Sequence, residues 1–168
     1  MSDKTKKIVL AALLAALTFI ATIIIRVPMP AVGYVNLGDC FVLLSGWILG
    51  PVYGALAAGI GSAVADLSAG YVAYAPATFV IKAFMAVAAY FIGVKLARSK
   101  QSLALKSVSA VAGELIMIGG YLAFESVVYG FGTALTSIPL NVVQGAIGLV
   151  AGLVLVNVYE RFVKPNLK

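Results

Sequence analysis

The sequence predicts an all-α integral membrane protein with six transmembrane helices and both termini in the cytoplasm. Hydrophobic residues make up 62% of its 168 positions and charged residues 11%, whereas soluble domains contain roughly 45–50% and about 25%. The apolar residues form runs that are separated by short breaks rich in proline, glycine or charge. We expect a single transmembrane domain over residues 1–168, because no polar segment is long enough for a second domain.

The placement of basic residues predicts the orientation. Of the 12 Lys and Arg residues, all but Arg26 and Lys82 precede the first apolar run, lie in the connection 95–106, or follow the last run. Loops rich in Lys and Arg remain in the cytoplasm, so these three groups belong to one side and the number of crossings is even. This topology explains the net charge of +6. We therefore expect the lipid bilayer as a partner and no nucleic acid.

The apolar runs predict helices at 8–25, 37–49, 52–67, 77–96, 108–129 and 139–159. A basic start before an apolar run is also typical of a signal peptide, but no small-residue cleavage site follows this one. The second run would reach only roughly 20 Å as a helix, so it must be short or tilted in a core of about 30 Å. Gly50-Pro51 is predicted as an inner turn, because proline is accepted at the first position of a helix.

Polar side chains fall at the outer ends of several predicted helices. An ionisable group within a membrane span costs roughly 2.5–3.5 kcal/mol and by default marks function. Each could instead be structural, since Lys82 could reach the outer headgroups and Asp39 could cap a helix. Their convergence at one depth favours a small-molecule pocket. The candidate substrate-binding residues are Asn36, Asp39, Asp66, Tyr74, Lys82, Tyr121, Glu125, Asn141 and Gln144.

The aromatic residues of the predicted pocket suit a flat heterocycle. Tyrosines near the outer ends offer stacking faces and hydroxyls, although an interfacial aromatic belt would place them at the same depth. Three carboxylates against one ammonium disfavour a strongly anionic or phosphorylated substrate. Glu114 lies nearer the inner end of its helix and is predicted either to close the pocket floor or to pair within the bundle.

The residue inventory limits the chemistry. The sequence contains no histidine and one cysteine, Cys40, which removes the usual zinc, copper and haem ligands and the commonest general base. We therefore predict no metal site, no cofactor and no catalytic residues. Two other classes of function remain open: a small membrane enzyme that uses carboxylates on a lipid-like substrate, and an oligomeric channel or purely structural bundle.

The most specific pattern is Gly38-Asp39 followed by Gly50-Pro51-Val52-Tyr53-Gly54. With the alanine-rich stretch 11–17, it resembles the substrate-binding S component of energy-coupling factor (ECF) transporters, over nearly the whole chain. Residues 75–86 resemble the branch assigned to pyridoxine or hydroxymethylpyrimidine uptake, and riboflavin carriers are close relatives. A riboflavin-binding S component is therefore the alternative within the family.

The resemblance implies capture of a vitamin-type small molecule from outside, followed by docking to a membrane coupling (T) protein and two cytoplasmic ATPases. Such a complex is an ABC importer in the cell membrane, and this subunit would not be an enzyme. The absence of a GxxxxGKS/T phosphate loop agrees with that role. The first-helix alanines would be the docking surface, as Ala11 and Ala15 or as Ala12 and Ala16, and the choice depends on which pair faces outward.

Overall fold

The protein is a helical bundle, which the computed structural model describes at residues 3–29, 32–97 and 102–164. In these ranges five segments are long and apolar enough to cross a membrane, which confirms the prediction of an all-α membrane protein. The bundle comprises α1 (Asp3–Ile24), α2 (Asp39–Ser68), α3 (Ala75–Tyr90), α4 (Leu103–Tyr129), α5 (Phe131–Leu135) and α6 (Ile138–Val158). Single π-helical turns, Phe91–Lys95 and Tyr159–Val163, extend α3 and α6.

The helix α2 is a hairpin rather than a straight rod. Gly50 leaves helical geometry at φ 82° and ψ −173°, a region that is essentially open only to glycine. Pro51 then begins the second half of α2, where its fixed φ suits a helix start. The halves 39–49 and 51–68 pack together so closely that a Cβ atom on Gly54 would lie 2.6 Å from the Ser45 carbonyl oxygen. The predicted turn at Gly50-Pro51 is confirmed, and it brings both ends of α2 to the same end of the bundle.

The connection between α1 and α2 contains a short β-hairpin that the sequence did not predict. Strand β1 (Arg26–Pro28) pairs antiparallel with β2 (Tyr34–Asn36), and Val27 lies opposite Val35. The prolines and glycines of this stretch indicated only a loop, because three-residue strands are too short to show an alternating pattern. The hairpin turns the Tyr34 ring into the protein, where it is buried.

Small residues set the packing of the helices. In lipid, helix association depends on close van der Waals contact, since lipid is as apolar as the side chains. Gly61 lies against the backbone of α1, where an added Cβ would be 2.5 Å from the Ala15 carbonyl oxygen. Ala11 and Ala15 also pack against a buried cluster that contains Trp47. Ala12 and Ala16, in contrast, are exposed.

The basic end of the bundle is held by polar contacts of its own. Trp47 Nε1 donates a hydrogen bond to Ser109 Oγ at 2.9 Å. Lys106 Nζ, at the start of α4, pairs with Glu160 Oε1 after α6 at 2.5 Å. The remaining described basic residues near this end are Lys4, Lys6, Lys7, Lys95, Arg161 and Lys164. Arg98, Lys100 and Lys168, which the orientation prediction also uses, lie outside the described residues.

Candidate functional site

A polar cavity lies at the end of the bundle where the two ends of α2 meet. It is narrow, with an accessible volume of about 20 Å³, which is room for about one water molecule. Its walls come from α1, the β-hairpin, the second half of α2, α3, α4 and α6. The wall residues are Thr22, Met29, Gly33, Tyr34, Asn36, Ser62, Asp66, Tyr74, Thr78, Lys82, Tyr121, Glu125, Asn141 and Gln144.

The structure brings all but one of the predicted substrate-binding residues to this wall. Those that line the cavity are Asn36, Asp66, Tyr74, Lys82, Tyr121, Glu125, Asn141 and Gln144. Asp39 differs from the prediction, because it lies behind the wall and is fully buried. Its carboxylate contacts the wall residues Lys82 and Gln144 and does not itself line the cavity.

Asp39 anchors two of those wall residues. Its Oδ1 forms an ion pair with Lys82 Nζ, and its Oδ2 accepts a hydrogen bond from Gln144 Nε2 at 2.6 Å. Gln144 Oε1 in turn accepts from the Asn36 backbone N–H at 2.8 Å. Side chains of Lys82 and Asp39 are only 2% and 0% exposed, and buried charges persist where they are paired and hydrogen-bonded. One network therefore ties α2, α3, α6 and the β-hairpin together beneath the cavity.

Both oxygens of Glu125 also have partners in the protein. Its Oε1 accepts a hydrogen bond from the Tyr74 hydroxyl at 3.1 Å, and its Oε2 accepts from the Ser137 hydroxyl at 2.5 Å. Burial, and then the nearby Glu125 carboxylate, raise the pKa of Tyr74 above its usual value. Tyr74 thus remains protonated and donates, which fixes the orientation of the Glu125 side chain.

Asp66 is held at one oxygen only. The Tyr34 hydroxyl donates to Asp66 Oδ1 at 2.5 Å, and burial together with the Asp66 charge raises the pKa of Tyr34 above its usual value. Among the described residues, no group bonds Asp66 Oδ2, and none bonds Ser62 Oγ one turn earlier. Both residues line the cavity.

Tyrosine rings form the aromatic part of the wall. The Tyr74 ring centroid lies 6.3 Å from that of Tyr121 and 6.1 Å from that of Tyr129, which it stacks at 25°. The Tyr121 hydroxyl shares a hydrogen bond with Thr78 Oγ1 at 3.0 Å. Lys82 Nζ sits 5.5 Å from the Tyr121 ring centroid, close enough for a cation–π contact. A flat ring can be bounded by aromatic faces here and hydrogen-bonded at its rim.

Six wall residues were missed by sequence reasoning: Thr22, Met29, Gly33, Tyr34, Ser62 and Thr78. Tyr34 has a recognisable signal, because it stands among the tyrosines at the outer ends of the apolar runs. The hydroxyl residues have none, since Ser and Thr in membrane helices usually bond their own backbone. Within the described ranges, no group of three or more metal-ligating side chains occurs.

Glu114 takes neither of its predicted places. It does not line the cavity, and neither carboxylate oxygen has a hydrogen-bond partner among the described residues. Its carboxylate instead occupies space that α6 leaves open, because added Cβ atoms on Gly145 and Gly148 would lie 3.2 and 3.0 Å from its oxygens.

Comparisons with known proteins identify the family. The model of the family described as ECF-type riboflavin transporter, S component, matches residues 2–161. An uncharacterized protein from Pyrococcus woesei is 32% identical over 134 residues, which cover 79% of this chain and 87% of that protein. The thiamine precursor transporter HmpT of Lactococcus lactis subsp. cremoris (strain MG1363) is 30% identical over 158 residues, covering 93% of this chain and 89% of that protein.

The fold has been seen before in a solved structure. The S component of a bacterial ECF transporter superposes with a TM-score of 0.71 at 20% sequence identity, over 96% of this chain and 99% of that chain. The chain therefore belongs to the S components of ECF transporters, the membrane-embedded substrate-binding subunits of vitamin importers, which have no ATPase site of their own.

Proposed function

We propose that this S component captures a small heterocyclic B-vitamin or vitamin precursor, of the pyridoxine or hydroxymethylpyrimidine type, at the outer face of the cell membrane. The observation that carries the proposal is the cavity, where tyrosine rings and hydrogen-bonding groups from six elements face one space. The relative described as a thiamine precursor transporter supports the pyrimidine type. Asp66 and Glu125 on the wall, with Lys82 already paired to Asp39, disfavour a phosphorylated substrate.

Riboflavin is the second candidate substrate, because the matching family is described as a riboflavin transporter component. The size of the cavity favours the smaller vitamin. Its accessible volume is only about 20 Å³, so the walls must move less to admit a single ring than to admit the three fused rings of a flavin with its sugar chain.

Delivery inward would follow from topology and docking. We propose six crossings, with the two halves of α2 as the second and third, and with both termini in the cytoplasm. The subunit would then associate with a membrane coupling (T) protein and two cytoplasmic ATPases. The exposed pair Ala12 and Ala16 is the docking surface in this proposal, because Ala11 and Ala15 already pack against the core.

A binding screen tests the proposal. We expect the purified protein to bind one single-ring B-vitamin or precursor at submicromolar concentration, measured by calorimetric titration and by native mass spectrometry of any ligand that copurifies. Truncating a wall residue by Asn141→Ala should weaken binding. The matched substitution Ser126→Ala should not, because that hydroxyl bonds the Leu122 carbonyl oxygen outside the cavity.

Failure of the whole B-vitamin panel to bind would contradict the proposal, provided that the protein elutes as a single species and unfolds cooperatively. Tight binding of riboflavin, with no single-ring ligand bound, would establish the second candidate instead.

A further inference from the structure

Two polar atoms on the cavity wall have no partner in the described protein: Asp66 Oδ2 and Ser62 Oγ. Asp66 is 4% exposed and Ser62 is 3% exposed, so bulk water does not satisfy these atoms. The two residues are four apart on the second half of α2, and side chains at this spacing lie on one helix face. They therefore form one patch of the wall.

Other hydroxyl groups in these helices are satisfied locally. Thr18, Thr22 and Ser45 each donate to the carbonyl oxygen four residues earlier, at 2.7 to 2.8 Å. Ser62 is buried in the same kind of helix without that bond. Buried polar groups in native proteins are nearly always paired, and an unpaired one that faces a cavity calls for a partner inside it.

In the other carboxylates of the network, each oxygen already has a partner in the protein. Both oxygens of Asp39 are taken, by Lys82 and Gln144, and both oxygens of Glu125 are taken as well. Asp66 is different, since its Oδ1 accepts from Tyr34, whereas its Oδ2 is buried and has no hydrogen-bond partner among the described residues. A carboxylate oxygen only accepts hydrogen bonds, whereas a serine hydroxyl can also donate one.

We propose that Asp66 and Ser62 form the recognition edge for an amino-substituted nitrogen heterocycle. The exocyclic amino group of the ligand donates to Asp66 Oδ2, and the adjacent ring nitrogen accepts from Ser62 Oγ. The inference rests on the proposed vitamin-binding function and narrows its substrate class. A ring that carries oxygen in place of the amino group would put an acceptor against the carboxylate, and such a mismatch is a strong basis for rejection.

A pair of ligands tests the edge directly. The probes are hydroxymethylpyrimidine, which carries the amino group, and its oxo analogue, in which oxygen replaces the amino nitrogen. Calorimetric titration of the wild-type protein in lipid nanodiscs should give a dissociation constant roughly 10- to 100-fold higher for the oxo analogue, because a buried acceptor loses its donor.

Variants of the edge give a sharper readout than affinity alone. Asp66→Asn keeps the shape and presents amide N–H donors in place of a carboxylate, so the preference should invert toward the oxo analogue. Ser62→Ala should weaken the binding of hydroxymethylpyrimidine, but the variant should still prefer it to the oxo analogue. Ser68→Ala is the matched control on the same helix, since its hydroxyl bonds the Val64 carbonyl oxygen and lies off the wall, and it should leave both affinities unchanged.

Equal affinity of the wild-type protein for the two probes would overturn the inference, and so would an Asp66→Asn variant that weakens both by the same factor. If that variant does not fold, the wild-type comparison and Ser62→Ala still decide. Tight binding of pyridoxine or riboflavin, with no binding of hydroxymethylpyrimidine, overturns this inference and leaves the proposed function standing. Failure of every vitamin to bind folded protein overturns both.

Discussion

Lys82 illustrates how a single charged residue is accommodated in a membrane helix. Its ammonium group is buried and forms an ion pair with Asp39. The other carboxylate oxygen of Asp39 accepts a hydrogen bond from Gln144. The cost of desolvating both charges is offset only while the pair remains intact. The contribution of Lys82 to the cavity is thus inseparable from Asp39, a residue that does not line the cavity.

We expect Lys82→Met to lower the free energy of unfolding by about 3–5 kcal/mol, because it leaves the Asp39 carboxylate buried without a counter-charge. Adding Asp39→Asn should recover a large part of that loss, since the second change removes the stranded charge. Thermal unfolding of the purified protein in detergent measures both effects. Lys7→Met serves as the control, because Lys7 is exposed on the first turns of α1. A double variant no more stable than Lys82→Met alone would contradict the pairing.

At the scale of single helices, α1 divides its alanines between two faces. Ala11 and Ala15 contact the core cluster around Trp47, and Gly61 of α2 approaches the backbone at Ala15. Ala12 and Ala16 are exposed on another face of the same helix. The sequence could not separate the pairs, because both have the same composition and spacing. Only the position of the neighbouring α2 distinguishes them.

Enlarging the exposed pair should block transport and spare capture. We expect Ala12→Trp with Ala16→Trp to leave ligand binding by the purified protein unchanged and to abolish ligand uptake by cells that also express the coupling protein and ATPases. Bulk at this position would prevent another helix from approaching closely. Ile24→Trp, at a 73% exposed position of the same helix eight residues beyond Ala16, is the control and should preserve uptake. Normal uptake by the Ala12 and Ala16 variant would exclude this face as the docking surface.

The elements that the sequence predicted are those with a strong local signal. The six apolar runs agree with the observed helices to within five residues at each end when the π-helical turns are included, with the runs 37–49 and 52–67 as the two halves of α2. The β-hairpin and α5 are too short for any periodic pattern to reveal them.

The site was predictable in position and not in detail. Polar residues stand out against apolar helices, so their common depth could be read from the chain. The partners of each carboxylate could not be read from the chain, because Asp39 and Asp66 look equivalent in sequence, at the two ends of one hairpin. Which of them keeps a free oxygen depends on Lys82 and Tyr34, which are distant in the chain. Ser62 likewise cannot be distinguished from Thr18 without the structure.

On the scale of the whole molecule, charge separates along the bundle axis. The described carboxylates of α2 and Glu125 gather at the cavity end, whereas Lys106, Glu160 and most described basic residues lie at the other end. The positive-inside rule predicts that the basic end faces the cytoplasm, in which case the cavity would open outward. The orientation of the bundle therefore also determines the side of the membrane from which substrate is captured.

Thiol labelling of intact cells can test this orientation. Val72→Cys introduces a thiol at a 62% exposed position near the cavity, and Leu103→Cys does so at a 55% exposed position at the basic end. We expect a membrane-impermeant maleimide to label the first variant in intact cells and the second only after permeabilisation. The native Cys40 is buried and provides the unlabelled background. Labelling of the second variant from outside would reverse the orientation.

The place of Trp47 gives the molecule an optical reporter. It is the single tryptophan of the sequence, it is bonded to Ser109, and it is absent from the cavity wall. A ligand in the cavity cannot touch this indole, although a flavin could still quench it through space by energy transfer. For a ligand that does not absorb at the tryptophan emission wavelength, such as hydroxymethylpyrimidine, a change in emission would therefore record a rearrangement that extends through the bundle to its basic end. An unchanged spectrum would mean that the packing around Trp47, at the basic end of the bundle, does not change when the ligand enters.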